Sequence, residues 1–111
     1  MRIATQDYND ITVVELNGEF TTEFVSFFED GIQHVVSRGQ AGIVLDMSNV
    51  GFIDSAGLEA LLALRDRCHD NTRTLKLAAM DENCAKILEV TRLAGQFNTY
   101  EELAQAVKSF A

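Results

Sequence analysis

The segment IVLDMSNVGFIDSAGLEALL, residues 43–62, contains the change of hydrophobic pattern that decides the fold. Residues 43–47 are almost continuously apolar, which is typical of a strand covered on both faces, as parallel strands between helices are. From Ser55 the spacing becomes helical up to the polar residues 69–72, and one side carries Leu58, Leu61, Leu62 and Cys68. The tetrapeptide DSAG, residues 54–57, therefore stands where a central strand passes into a helix.

The chain before this segment predicts a hairpin followed by a helix. Two short β-branched runs within residues 1–18 are separated by the turn formers Asn9-Asp10, which indicates an antiparallel hairpin. From residue 22 to residue 38 the apolar spacing is helical, with Thr21 or Thr22 available as the N-cap and Gly39 as the stop. We expect its apolar side, including both of the adjacent phenylalanines, in the core: Phe24, Phe27, Phe28, Ile32, Val35 and Val36.

The chain after the segment predicts a strand and two helices. Residues 75–80 indicate the strand, and Asp81 can cap a helix that continues through Leu93, with Gly95 at its C′ position. The inward side of that helix would carry Ile87, Leu88 and Thr91. Thr99 and Glu102 have the spacing of a capping box for a last helix, whose apolar residues are Leu103, Ala106, Val107 and Phe110.

Strands that alternate with helices after an opening hairpin indicate the α/β class. We predict one domain over residues 1–111, with a mixed central sheet of about four to five strands and helices packed on it through right-handed crossovers. In such sheets the loops that start the helices are the usual place where ligands or partners bind.

Composition limits the classes of partner. Seventeen acidic and nine basic residues give a formal charge of −8, so nucleic acid and anionic membrane surfaces would be repelled and basic protein partners favoured. The first ten residues lack an apolar signal core, and no apolar run approaches the length of a membrane span, so we expect a cytoplasmic protein. Cys68 and Cys84 lack metal or redox spacing, and we expect reduced, half-buried thiols and neither a metal nor a cofactor.

Four interpretations of the Asp54-Ser55 pair follow from the residues alone. Either residue could simply cap the helix, which contributes roughly 1 kcal/mol. A catalytic serine would need a base, but G-x-S-x-G is absent, and His69 lies about 21 Å along the same helix, at ~1.5 Å per residue. His34 lies among apolar residues of the first helix, where an ordinary half-buried or surface histidine is expected.

The other two interpretations involve a metal ion or a phosphate group. Asp46 and Asp54 could bind Mg²⁺, but no phosphate-cradling glycine-rich loop accompanies them, and we expect Asp46 to hydrogen bond the loop before Ser55 instead. Alternatively Ser55 accepts a phosphate, whose charge the positive end of the helix dipole would tolerate. A partner bound there would meet a bulky dianion, so binding would be switched without refolding, and the protein would be a substrate and binder rather than an enzyme.

The segment IVLDMSNVGFIDSAGLEALL, residues 43–62, resembles the signature of the STAS domain family, specifically the bacterial anti-sigma factor antagonists, in which Asp-Ser-x-Gly follows a buried strand. The similarity extends over nearly the whole chain, from VVELNGEF, residues 13–20, to LKLAAMDENCAKILEVTRLAGQFNTYEELAQAV, residues 75–107. The resemblance implies that Ser55 is phosphorylated by a cognate anti-sigma factor acting as a serine kinase, and that a PP2C-type phosphatase removes the phosphate. The unphosphorylated form would then bind the anti-sigma factor and free its sigma factor.

The resemblance also implies where the partner binds. The expected surface comprises the helix start and the first loop, NGEFTTE: Asp54, Ser55, Ala56, Gly57, Leu58, Thr21 and Thr22. Two positions depart from the family pattern, because Thr21 replaces a frequent Asp and Arg92 replaces the Gly of a T-G-L sequence. Two alternatives remain open: a constitutive STAS scaffold subunit of a transporter or sensory assembly, with Ser55 only a helix cap, and a switch that controls secretion, motility or biofilm formation.

Overall fold

Five strands form one mixed sheet in a computed structural model, which describes residues 1–110. The spatial order follows the sequence: β1 Arg2–Tyr8, β2 Ile11–Asn17, β3 Gly42–Asn49, β4 Thr74–Ala78 and β5 Asn98–Tyr100. β1 and β2 are the predicted antiparallel hairpin, and every later neighbour is parallel. The apolar run of residues 43–47 lies in β3 at the centre of the order, which confirms the α/β prediction.

Four α-helices connect or follow the parallel strands. They are α1 Val25–Ser37, α2 Ser55–Asp70, α3 Glu82–Val90 and α4 Leu103–Lys108. Single 3-10 turns at Thr22–Phe24 and Ala94–Gln96 precede α1 and β5. Within residues 1–110, none of the helices has the length and apolar character that crossing a membrane requires.

The core occupies both faces of the sheet. On one face α1, α2 and α3 bury side chains against the strands, including the tilted ring pair Phe20 and Phe28, whose centroids lie 4.6 Å apart. On the other face α4 alone covers a smaller cluster, made of Ile11, Val13, Val44, Ala78 and Ala106. The helices α1, α2 and α3 each follow a parallel strand, so their N-termini lie beyond the carboxyl ends of those strands, around the junction at residue 54.

Lys76 is the exception to an apolar second face. Its side chain lies under the end of α4 and is 8% exposed. The ammonium group donates to Ser109 Oγ at 2.5 Å and lies 4.0 Å from the centroid of the Phe110 ring. A hydrogen bond and a cation–π contact thus replace water around a buried charge.

The first helix differs from its prediction in its start and in one phenylalanine. Phe28 is fully buried, but Phe27 is 52% exposed and the prediction that it lies in the core was wrong. Neither Thr21 nor Thr22 caps the helix through its side chain, because a 3-10 turn precedes Val25 and Thr22 bonds elsewhere. Gly39 adopts a positive φ of 82°, which suits a helix stop.

The third helix ends earlier than predicted. It stops at Val90 rather than Leu93, and Arg92 adopts the left-handed conformation with φ of 62°. Gly95 instead lies in a 3-10 turn, and Thr91 is exposed rather than inward. Arg92, which replaces the glycine of the family pattern, thus has a backbone conformation that glycine adopts more readily.

The last helix is also shorter than the capping box suggested. Thr99 lies in β5 opposite Leu77, and α4 begins only at Leu103, so Thr99 is not next to the helix and cannot be its N-cap. Glu102 holds that position and makes no side-chain cap bond. Strand pairing therefore overrode the local T-x-x-E signal.

Candidate functional site

Three helix-starting loops meet at the carboxyl edge of the parallel strands. The loop after β2 pairs with the loop after β3, through the Gly18 amide to the Asn49 carbonyl at 3.0 Å and the Phe20 amide to the Phe52 carbonyl at 2.9 Å. From the other side, the Asn83 amide group of α3 donates to the Gly51 carbonyl at 3.1 Å. The loop before Ser55 is therefore held by both of its neighbours.

Asp54 is the N-cap of α2 and joins it to the first loop. Its Oδ1 accepts from the Gly57 amide at 2.9 Å. Its Oδ2 accepts from the Thr22 amide at 2.8 Å and from the Thr22 hydroxyl at 3.0 Å. We call Asp54, Thr22 and Gly57 the Asp54 clamp.

Hydrogen bonds keep the Asp54 carboxylate of the clamp ionised. The Gly57 amide, and after it the Thr22 amide, lower the pKa of Asp54 from its ordinary value of 3.8. Hydrogen bonds to a carboxylate favour its ionised form, so this group is an anion at neutral pH. The charge stands at the positive end of α2, where the helix dipole favours it.

Gly57 allows the close approach that closes the clamp. A Cβ at this position would lie 2.3 Å from the Phe20 carbonyl oxygen and 2.9 Å from Ile53 Cγ2. The same carbonyl accepts from the Asp54 amide at 3.2 Å, which ties the two segments together. A larger residue would push the first turn of α2 away from the first loop.

Ser55 is the first residue of α2 and is exposed. The cap is Asp54, so the serine hydroxyl is not used to start the helix. Within the described chain, no hydrogen bond engages that hydroxyl, which leaves it accessible to an enzyme or a partner.

The other residues predicted to bind a partner fall into two groups. Ala56 and Thr21 are partly buried and Thr22 is exposed, so these side chains lie near or at the surface. Gly57 and Leu58 are buried, and they shape the edge by packing rather than by offering a side chain. The sequence analysis missed Phe52, which is 42% exposed three residues before Ser55.

The geometry does not favour a hydrolytic site. His69 lies in the last turn of α2 and His34 in the last turn of α1, both distant from Ser55 at the start of α2. Over residues 1–110, His, Cys, Asp and Glu side chains form no group of three that could hold a metal ion. Asp46 accepts from the Ser48 amide at 3.1 Å, so its bond is within its own strand rather than to the loop before Ser55.

Comparison with known proteins assigns the chain by sequence and by fold. The STAS domain profile matches residues 2–106. The anti-sigma-F factor antagonist RsfB of Mycobacterium tuberculosis is 29% identical over 65 residues, which are 59% of this chain and 53% of that protein. The chain thus spans about half the length of this curated relative.

Solved structures reproduce the fold. An anti-sigma factor antagonist from Mycobacterium paratuberculosis superimposes with a TM-score of 0.88 at 25% identity, covering 97% of this chain and 92% of that one. The Bacillus cell fate determinant SpoIIAA in its phosphorylated form superimposes with a TM-score of 0.75 at 16% identity, covering 99% of this chain and 100% of that one.

Proposed function

The chain belongs to the STAS domain family, and we propose that it is an anti-sigma factor antagonist whose binding is switched by phosphorylation of Ser55. In this proposal it is a regulatory binding protein rather than an enzyme. Its partners are an anti-sigma factor with serine-kinase activity and a PP2C-type phosphatase that restores the unmodified serine. The site of action would be the cytoplasm, where sigma factors act.

The observation that carries the proposal is the division of roles between Asp54 and Ser55. Asp54 makes the three hydrogen bonds that hold the helix start and the first loop. Ser55 is exposed at the same place and holds none of them. A phosphate on Ser55 would therefore change the surface and leave the bonds of the fold in place.

The charge of a phosphate gives the switch its physical basis. It would add about 1.5 to 2 negative charges at the first turn of α2, where the helix dipole offsets part of their cost. The same charges would stand beside the ionised Asp54 and face any docked protein. A partner that fits the uncharged surface would then bury a dianion, which weakens binding strongly.

The relatives support this assignment. RsfB is named an anti-sigma-F factor antagonist, and a structural neighbour, SpoIIAA, has been solved in a phosphorylated form. The alternative of a constitutive scaffold rested on Ser55 being only a helix cap, whereas Asp54 is the residue that caps α2. No second function is favoured by the geometry.

Paired baits test the proposal. Ser55→Ala and Ser55→Glu proteins would be used to capture partners from lysate of the native cells, with quantitative identification of the proteins whose recovery differs. We expect a kinase-like anti-sigma factor on the Ala bait and its loss from the Glu bait. Identical partner sets on both baits would contradict the switch.

Binding constants make the test quantitative once that partner is purified. Ser55→Glu should bind it at least about tenfold more weakly than wild type, which corresponds to about 1.4 kcal/mol. Gln105→Glu is the charge-matched control, because Gln105 is exposed on α4, on the other face of the sheet, and its replacement should leave the affinity unchanged. Incubation with the partner and ATP should add one phosphate to wild type and none to Ser55→Ala.

A further inference from the structure

A cleft at the C-terminal end of α2, far from Ser55, is positively charged although the protein as a whole is acidic. It has a volume of about 460 Å³ and lies between α1 and the end of α2, lined by Gln33, Val36, Ser37, Arg67, Asn71 and Arg73. Its lining contains two arginines and no carboxylate, although the chain as a whole carries a net charge of −8. The volume is in the usual range for small-molecule sites.

The two arginines are not neutralised by ion pairs. Neighbouring arginines do have acidic partners: Arg65 pairs with Asp66 at 2.9 Å, and Arg38 pairs with Asp7. In the part of the chain that the structure describes, no carboxylate lies within 4.0 Å of the charged nitrogens of Arg67 or Arg73. Both guanidinium groups line the same cleft. Burial raises the pKa of the nearby Cys68 thiol, and the two positive charges partly offset that rise.

Helix ends favour both arginines, but only the Arg73 side chain donates hydrogen bonds to carbonyls there among the described residues. The carbonyl ends of α1 and α2 are negative and attract cations. Arg73 meets this need, since its Nε donates to the Val36 carbonyl at 3.1 Å and its Nη1 to the Asn71 carbonyl at 3.2 Å. These two bonds also fix the orientation of its guanidinium group before any ligand arrives.

Arg67 lines the cleft, and the fold leaves one of its guanidinium donors without a partner in residues 1–110. Its Nη1 is shielded from solvent and has no hydrogen-bond partner among the described residues. A buried donor without a partner is costly, and the cost is greater for a charged group. An oxyanion between the two guanidinium groups would neutralise their unpaired charges and would meet the fork geometry that suits arginine to phosphate. A rotation of the Arg67 side chain would bring the shielded Nη1 to the same acceptor.

We propose that the Arg67–Arg73 cleft binds a phosphate group, either as free phosphate or as part of a small phosphorylated molecule. Gln33, Ser37 and Asn71 provide uncharged donors and acceptors around it, and Val36 provides an apolar wall. The cleft is at the far end of α2 from Ser55, so the inference is independent of the partner switch proposed above.

Titration followed by NMR tests this site on the intact chain. Inorganic phosphate, glycerol 3-phosphate and adenosine monophosphate would be added separately at constant ionic strength, with sodium chloride as the reference salt. We expect saturable shifts of the Arg67 and Arg73 side-chain signals and of the Asn71 amide. Tighter binding of an organic phosphate would identify the source as a small metabolite, and equal binding would identify free phosphate.

Matched variants separate the cleft from general charge effects. Arg67→Gln should weaken phosphate binding at least about tenfold, and Arg2→Gln, which makes the same charge change on exposed β1, should not. Arg67→Lys, which keeps the charge and loses the fork, serves the same purpose if the Gln variant does not fold. Shifts equal to those with chloride, or an unchanged affinity in a folded Arg67 variant, would overturn the proposal.

Discussion

Replacing Gly57 with alanine should destabilise the protein by forcing α2 away from the first loop. The new Cβ would lie 2.3 Å from the Phe20 carbonyl oxygen, well inside van der Waals contact. That oxygen belongs to the backbone and accepts from the Asp54 amide, so it cannot rotate away as a flexible side chain could. Overpacking of this kind costs typically about 1–3 kcal/mol.

Part of this loss in stability is offset, because alanine is favoured over glycine in a helix by about 1 kcal/mol. A contact of 2.3 Å with a fixed carbonyl belongs to the upper end of that cost, about 2–3 kcal/mol. After the gain is subtracted we expect a net loss of about 1–2 kcal/mol, or a fall in Tm of at least about 4 °C for a domain of this size. Urea denaturation gives the free energy of unfolding directly, and a thermal melt gives the second value.

Gly51→Ala is the matched control for this experiment. It makes the same change in the loop before Ser55, but a Cβ there would find no atom within 4 Å. Its stability should stay within about 0.5 kcal/mol of wild type. If Gly57→Ala proves as stable as Gly51→Ala, the close approach of α2 to Phe20 does not hold the junction together, and the reasoning about the Asp54 clamp fails.

Three further changes test the core, the clamp and the thiols. Phe28→Ala should lower the free energy of unfolding by about 3–5 kcal/mol, whereas Phe27→Ala, at a side chain that is 52% exposed, should stay within about 0.5 kcal/mol of wild type. The pKa of Asp54 is lowered from 3.8 in the folded state, so the excess stability of wild type over Asp54→Asn should be complete above about pH 5 and should shrink as the pH falls through that lowered value; a gap that is the same at pH 3 and pH 7 would contradict the clamp. Burial raises the pKa of Cys68 to about 11 and that of Cys84 to about 12, so a thiol reagent at about pH 8 should label both slowly in the native protein and rapidly in urea.

The sequence predicted the elements whose pattern is long or strongly apolar. Residues 43–47 form a buried central strand because the apolar side chains of that run are covered by helices on the two faces, and only Asp46 is partly exposed. The start of α2 at Ser55 was also predicted correctly, since a capping residue stands directly before a helical pattern of leucines. In both places local propensity and tertiary packing favour the same structure, so a single sequence was sufficient.

The errors occurred where a tertiary contact overrode a local signal. Thr99 and Glu102 have capping-box spacing, but pairing of Thr99 with β4 holds the chain extended. Arg92 adopts a left-handed conformation that local rules assign to a glycine such as Gly95, because the chain must turn after α3 and no glycine is available at that point. Phe27 follows the helical spacing of the core residues, yet it lies at the rim of the buried stripe.

The candidate site itself could be predicted only in part, because its decisive bond joins residues far apart in the sequence. Thr22 and Asp54 are separated by 32 positions, and nothing in the local pattern of either residue indicates the other. The sequence left two uses for the Asp-Ser pair, a helix cap and a modified serine, which compete if one residue must serve both. In the fold Asp54 caps α2 and accepts all three hydrogen bonds, so a change at Ser55 need not disturb the helix start. A regulatory charge disturbs a domain least where the structural hydrogen bonds belong to a neighbouring residue, and the junction of β3 and α2 meets that condition.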